Sequence, residues 1–276
     1  MKNEVAPATA AVSLEQVEKA ARLLKGVIYK TPLLQNLGLS RTYEANVYLK
    51  REDLQVVRSY KIRGAYNKMA TLPPIAGARE IVCASAGNHA QGVAYACHSL
   101  ELPGYIFMPA NTPAQKVDKV RLFGKDQVEV VLTGNTFDEA FQAAKKFCDS
   151  RGSTFIHPFD DPAIVAGQAT VGLEILKAAT VSIDYCFMPI GGGGLASGVA
   201  SVFKQMSPHT KLIGVQPEGA PSMHKAYYDR QHGALTQIDS FVDGAAVKCP
   251  GLLTYEICRE LLDEDRKSTR RTPVTL

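Results

Sequence analysis

Three short stretches of the sequence carry side chains or bare backbone suited to chemistry. The first, Arg58-Ser59-Tyr60-Lys61-Ile62-Arg63-Gly64, follows the charged run Lys50-Arg51-Glu52-Asp53 and places one amine, Lys61, near the start of a helical pattern. A helix N-terminus presents a positive dipole end, and desolvation disfavours an ammonium further, so a lysine there can have a depressed pKa and attack a carbonyl. The second stretch is Ser85-Ala86-Gly87-Asn88-His89-Ala90-Gln91-Gly92, and the third is Gly191-Gly192-Gly193-Gly194-Leu195.

Both of the latter suit anions. The four glycines lie between an apolar strand pattern and a helical one, so bare amides and the helix dipole converge on a site fitted to a phosphate. Ser85, Asn88 and His89 add side-chain donors to the free amides of a first helical turn, an arrangement fitted to a carboxylate. One amine with two anion sites suggests a phosphorylated aldehyde cofactor and an acid substrate.

Other readings stand beside each stretch. Gly191, Gly193 and Ala196 satisfy the dinucleotide pattern G-x-G-x-x-A, yet the acidic residue expected about 20 positions on is met only weakly, by Gln216 and Glu218. No Gly-Lys-Ser/Thr follows the glycines, which excludes a P-loop. A tight turn alone would account for a glycine, although one usually suffices. Ser85 or Asn88 can act as a simple helix cap with His89 packed, His157 reads as a packed loop residue, and Arg63 reads as an ion-pair partner for Glu52 or Asp53.

The elements that position these stretches follow from periodicity. Ser13 with Gln16 forms a capping-box pattern ahead of an apolar helical face at Leu14, Val17, Ala20, Ala21 and Leu24. Residues 1–12 read as a loose tail. After a short strand at Val47-Tyr48-Leu49 and the Lys61 helix, apolar runs alternate with helical patterns. Strands are expected at 81–84, 105–108, 128–131, 154–156, 185–190 and 212–215. Such alternation gives an α/β chain of two doubly wound, open parallel sheets. The last stretch, Glu264 to Pro273, is charged and aperiodic, so the chain is expected to end without a closing strand.

Composition narrows the class. With 276 residues, 46% hydrophobic, and a formal charge of +4, the chain is an ordinary globular one without the basic surface that nucleic-acid binding needs; only Arg266, Lys267, Arg270 and Arg271 cluster. Six scattered cysteines, with no C-x-x-C pair, read as reduced thiols in a cytoplasm. The stretch after Lys2 has no continuous apolar run and no segment approaches the roughly 18 uninterrupted apolar residues of a span, so neither a leader nor a membrane span is expected. A cytoplasmic protein with a small-molecule partner is expected, with neither nucleic acid nor membrane.

Ser59-Tyr60-Lys61-Ile62-Arg63-Gly64, Ser85-Ala86-Gly87-Asn88-His89 and Gly191 to Leu195 together resemble the cofactor lysine, substrate-carboxylate loop and phosphate loop of threonine dehydratases. These are fold type II pyridoxal-phosphate enzymes, similar to the tryptophan synthase β chain. The likeness runs from about residue 14 to about 262 and takes in Lys50-Arg51-Glu52-Asp53, His157-Pro158-Phe159-Asp160-Asp161, Gly167-Gln168-Ala169-Thr170 and Asp243-Gly244 in order. It implies a large cofactor domain at 1–53 and 156–276 and a small substrate domain at 54–155.

By the same resemblance, Lys61 anchors pyridoxal 5'-phosphate and is the catalytic base. Gly191, Gly192, Gly193, Gly194 and Leu195 hold the phosphate, Asn88 meets the ring hydroxyl and Tyr60 flanks the ring. Ser85, Gly87, Asn88 and His89 take the substrate carboxylate. The implied activity is a threonine ammonia-lyase that converts L-threonine and L-serine to 2-oxobutanoate and pyruvate with release of ammonia, in isoleucine biosynthesis or threonine catabolism. Serine racemase or serine dehydratase is the alternative, as is a shortened form that binds cofactor without turnover. Ala86 stands where racemases carry a serine acid, and alanine has no proton to give. Gln216 and Ser222 stand where some relatives carry carboxylates for a divalent metal, so no metal site is expected. From about Lys248 the chain departs from the family pattern, and the strands and helix carrying the Ser or Cys at the pyridine nitrogen are missing. An open sheet edge and exposed apolar surface should result.

Overall fold

A computed structural model describes residues 11–73 and 79–268. In chain order its elements are α1 (Leu14–Leu23), β1 (Leu33–Gln35), α2 (Leu37–Thr42), β2 (Tyr48–Lys50), α3 (Lys61–Ala70), β3 (Ile81–Ala84) and α4 (Asn88–Ser99). They continue with β4 (Gly104–Met108), α5 (Ala114–Gly124), β5 (Val128–Leu132), α6 (Phe137–Arg151), β6 (Thr154–Phe155), α7 (Pro162–Ala178) and β7 (Tyr185–Pro189). The last are α8 (Gly194–Met206), β8 (Lys211–Pro217), α9 (Ser222–Asp229), α10 (Leu252–Leu261) and β9 (Glu264–Ser268). Contacts divide the chain into two units, Leu23–Pro158 and a second one formed by residues 11–22 with 159–268.

The Leu23–Pro158 unit is built on a parallel sheet of order β5-β4-β3-β6. Strand side chains alternate between faces, and here Val82, Ala84 and Phe107 pack on Ala144 and Cys148 of α6 while Cys83 lies near Cys97 of α4. Both faces are therefore covered by helices, as the alternation of patterns implied. Thr136 and Glu139 close a capping box at the start of α6, and Gly152 ends it in the left-handed conformation. The antiparallel pair β1–β2 belongs to this unit. Residues 23–53, which the resemblance assigns to the large domain, make their contacts here. Buried Arg63 donates Nε to Glu52 Oε2 at 2.8 Å and Nη2 to Oε1 at 2.7 Å, and Gln55 exchanges hydrogen bonds with the Tyr29 backbone.

The second unit has the parallel sheet β7-β8-β9. Asp161 accepts from Ala163 N and Ile164 N, and Pro162 opens α7, a pairing of cap and first-turn proline that starts helices well. Every residue of α7 from Ile164 to Leu173 is buried. Its backbone approaches α8 closely. A Cβ on Gly198 would lie 2.6 Å from Ala169 N, and one on Gly172 would lie 3.3 Å from Val199 Cα. Val12, Val17, Val165, Ala169, Leu173, Val202 and Ile257 form the core of this unit.

Two expectations are corrected. Val12, read as part of a loose tail, is 3% exposed within that core, and its carbonyl accepts from Gln205 Nε2; residues 1–10 lie outside the described residues. The charged stretch after α10, expected to hold no strand, pairs with β8 over Glu264–Ser268, from Ile213↔Glu264 to Pro217↔Ser268. Backbone pairing needs no apolar side chain, and charges on an edge strand are a common guard against further pairing. Arg270 and Arg271 lie outside the described residues. At the opposite edge, β7 has no second partner among the described residues, and Tyr185 and Phe187 are 60% and 66% exposed. All six cysteines are free thiols, and no described helix is long and apolar enough to cross a membrane.

Candidate active site

The amine sits in the Leu23–Pro158 unit. Lys61 is the first residue of α3, and its N–H donates to Ser59 Oγ at 3.1 Å, which closes the entry turn. Arg58 just before it takes the left-handed conformation at φ 57°, a strained backbone for a long side chain and a feature that clusters at functional sites. Lys61 Nζ donates to the Pro158 carbonyl at 3.0 Å and lies 5.6 Å from the centre of the Tyr60 ring. Burial pushes its pKa down to about 8, and pushes the Tyr60 hydroxyl up to about 12.

The carboxylate stretch lies against it. Strand β3 ends at Ala84, Ser85 Oγ accepts from Gly87 N at 3.2 Å, and α4 begins at Asn88 with no side-chain cap. Among the described residues no side chain caps the amides of its first turn, which leaves them available to an anion. Asn88 is exposed, whereas His89 is 4% exposed and its Nε2 bonds the Ile156 carbonyl at 3.0 Å. Burial, then the nearby Lys61 charge, push its pKa down to about 3, so the ring is neutral and serves packing. What His89 can offer a carboxylate is its main-chain N–H. The stretch also holds a close contact between helices, for a Cβ on Gly92 would lie 3.1 Å from Ile62 N and from Lys61 C.

The phosphate stretch lies in the other unit. Gly191–Gly193 leave β7, and Gly194 and Leu195 open α8. None of the four glycines tolerates a side chain freely. A Cβ would lie 3.1 Å from Ala245 Cα at Gly191, 2.3 Å from the Phe159 ring at Gly192, 2.7 Å from Met223 Cε at Gly193 and 3.0 Å from Phe159 Cβ at Gly194. Gly193 is also left-handed at φ 97°. The main chain is packed from behind, and the amides of Gly191 to Leu195 find no protein acceptor among the described residues. This is a cradle that fits a phosphate group.

Sequence reading had missed the supports of these stretches. Pro158 supplies the carbonyl that holds Lys61, Phe159 underlies Gly192 and Gly194, and Asp160 accepts from Leu252 N at 3.1 Å and Thr254 N at 3.2 Å to cap α10. One short motif, His157 to Asp161, thus serves four places, a role no periodicity reveals. Among the described residues no group of three or more His, Cys, Asp or Glu could hold a metal, and Gln216 and Ser222 are both buried.

The chain as a whole is similar to known proteins. The sequence model of the pyridoxal-phosphate dependent enzymes matches residues 24–269. A biosynthetic L-threonine dehydratase of Halalkalibacterium halodurans is 53% identical over 253 residues, 92% of this chain and 61% of that protein. The chain thus spans about three-fifths of the length of the curated relatives it matches. Among solved structures, the processed threonine deaminase isoform 2 of Solanum lycopersicum superposes with a TM-score of 0.86 at 40% identity, over 96% of this chain and 73% of that one. Maize serine racemase superposes at 0.88 with 27% identity, over 94% and 77%. With a family match over residues 24–269, which reaches across both units, the chain belongs to the pyridoxal-phosphate dependent enzymes.

Proposed function

We propose that the chain is a threonine ammonia-lyase that acts on L-threonine and also on L-serine. The observation that carries this reading is Lys61, a partly buried amine at a helix N-terminus whose pKa is about 8. Such an amine is neutral often enough near pH 8 to attach a carbonyl and to take a proton. The identities to a threonine dehydratase and a threonine deaminase support the substrate class.

In this reading Lys61 anchors pyridoxal 5'-phosphate, Tyr60 flanks its ring and Asn88 meets its ring hydroxyl. Gly191, Gly192, Gly193, Gly194 and Leu195 hold its phosphate through main-chain N–H groups. Ser85, Gly87, Asn88 and the His89 amide orient the substrate carboxylate. When bound, the cofactor supplies an electron sink for the negative charge that develops at Cα. With the cofactor in place, Lys61 Nζ would accept the Cα proton, and departure of the β-hydroxyl as water would take up one proton in balance. Ala86 has no proton to deliver to the opposite face, which favours dehydration over racemisation. The reading carries with it a cytoplasmic homodimer or homotetramer in amino-acid metabolism, with isoleucine biosynthesis as the setting suggested by the relatives' names.

The test is a visible absorption spectrum of the protein mixed with cofactor, before and after threonine, with 2-oxobutanoate measured alongside. The protein should be yellow, change spectrum with threonine and release the oxo acid, and Lys61→Ala should abolish all three. A protein that stays colourless with excess cofactor sinks the reading.

A further inference from the structure

Phosphate cradles depend on amide direction, and amide direction depends on what holds the carbonyls. In a trans peptide the C=O of one residue and the N–H of the next point in opposite directions. A carbonyl tied to the protein interior therefore aims the following N–H away from it. In this chain two buried side chains tie three successive carbonyls.

Gln216, on β8 and fully buried, donates Nε2 to Ile190 O at 3.2 Å and to Gly191 O at 3.4 Å. Its Oε1 accepts from His224 N at 2.7 Å, which fixes the orientation of the amide. Thr254, on α10 and also fully buried, donates Oγ1 to Gly192 O at 2.6 Å, and Gly251 N reaches the same carbonyl at 3.3 Å. Thr254 is itself held, since its N–H and that of Leu252 both donate to Asp160. The same three peptide units carry the amides of Gly191, Gly192 and Gly193.

We infer that Gln216 and Thr254 are positioning residues for the anion cradle, aiming three consecutive amides by holding the three carbonyls behind them. The chemistry explains their types. Carbonyls require donors, so a carboxylate at position 216 would face two oxygens with no proton to give and would add negative charge behind an anion site. A hydroxyl at 254 supplies the one side-chain donor that the Gly192 carbonyl receives. The inference deepens the proposed cofactor reading and rests on it only for the identity of the anion.

The experiment compares dissociation constants for pyridoxal 5'-phosphate, for pyridoxal, which lacks the phosphate, and for inorganic phosphate followed by phosphorus NMR. The proteins are the full chain and its Thr254→Val, Thr254→Ser, Gln216→Glu and Gln216→Met variants. Loss of one buried donor should weaken both phosphate-bearing probes by about tenfold in Thr254→Val, Gln216→Glu and Gln216→Met. Pyridoxal should bind within about twofold of the parent chain, and Thr254→Ser should restore phosphate affinity. If Thr254→Val does not fold, the two Gln216 variants decide alone. Unchanged phosphate affinity in the variants overturns the inference, as does an equal loss for pyridoxal, which would mark a general structural role. If the parent chain binds inorganic phosphate but neither vitamin form, the cofactor reading fails while the phosphate arm still tests the inference. If it binds no phosphate at all, both fail.

Discussion

Asp265 allows a pH prediction whose sign and size both follow from its surroundings. It lies on β9 with no exposed surface, and neither carboxylate oxygen has a hydrogen-bond partner among the described residues. The nearest basic group, His224 Nδ1, is 3.5 Å away and already bonds the Asp265 main-chain carbonyl at 3.0 Å; the Tyr228 hydroxyl donates to that same carbonyl. His224 is itself pushed toward its neutral form, mainly by burial, and burial likewise raises the pKa of Cys258 and Tyr227, two further titratable neighbours. Burial pushes the Asp265 pKa up from 3.8 to about 7.

The folded state therefore keeps a proton that the unfolded chain releases above about pH 4. Stability is full below that pH and falls as the pH rises toward 7, by at most about 1.4 kcal/mol per unit and by a total of order 2–4 kcal/mol. Urea unfolding of the parent chain and of Asp265→Asn at pH 5, 6, 7 and 8 measures this directly. The parent should lose stability between pH 5 and 7, and Asp265→Asn, which has no proton to lose, should show a flatter profile over the same range. Identical slopes for the two proteins would refute the assignment of a buried, uncompensated carboxyl.

Four further outcomes follow from particular contacts. The rate at which an amine-reactive reagent labels Lys61 should reach half its maximum near pH 8, rather than near 10.5 as for an ordinary lysine, as read by peptide mass spectrometry. Glu52→Gln leaves the guanidinium of Arg63 buried without its carboxylate and should cost about 3–5 kcal/mol in urea unfolding. Gly92→Ala drives a methyl against the main chain of Lys61 and Ile62; a loss of about 1–3 kcal/mol, with slower labelling of Lys61 by cofactor and borohydride, is expected. Phe187→Lys puts a charge on β7, on the edge that no described strand pairs, and should reduce light scattering by concentrated protein without lowering its melting temperature.

Local chemistry was legible where it depended on neighbours in sequence. The capping box of Ser13 and Gln16 forms as spelled, with Ser13 N donating to Gln16 Oε1 at 2.8 Å and Gln16 N to Ser13 Oγ at 3.3 Å. The alternation of apolar runs and helical patterns gave the α/β class and the place of Lys61 at a helix start, whereas Glu52 and Asp53 stood equal as partners for Arg63 until the fold paired it with Glu52. The three stretches that identify the family were visible because each is a bare main-chain device or a lone reactive group set in a short motif. Strand β9 was not legible, since its pairing to β8 is made by backbone atoms that a charged sequence does not advertise.

The sequence by itself determined which groups could react and which turns could hold anions, because amine, hydroxyl and glycine carry those capacities wherever they stand. Tertiary structure alone decided how each is supported. Burial lowers the pKa of Lys61 while the distant Pro158 carbonyl holds its amine, burial turns His89 into a neutral packing residue, and Gln216 and Thr254 reach from other elements to the carbonyls behind the glycines. The physical reason is range. Propensity and capping act over a few residues, whereas desolvation and side-chain bonds to main-chain carbonyls depend on residues that only the fold brings together.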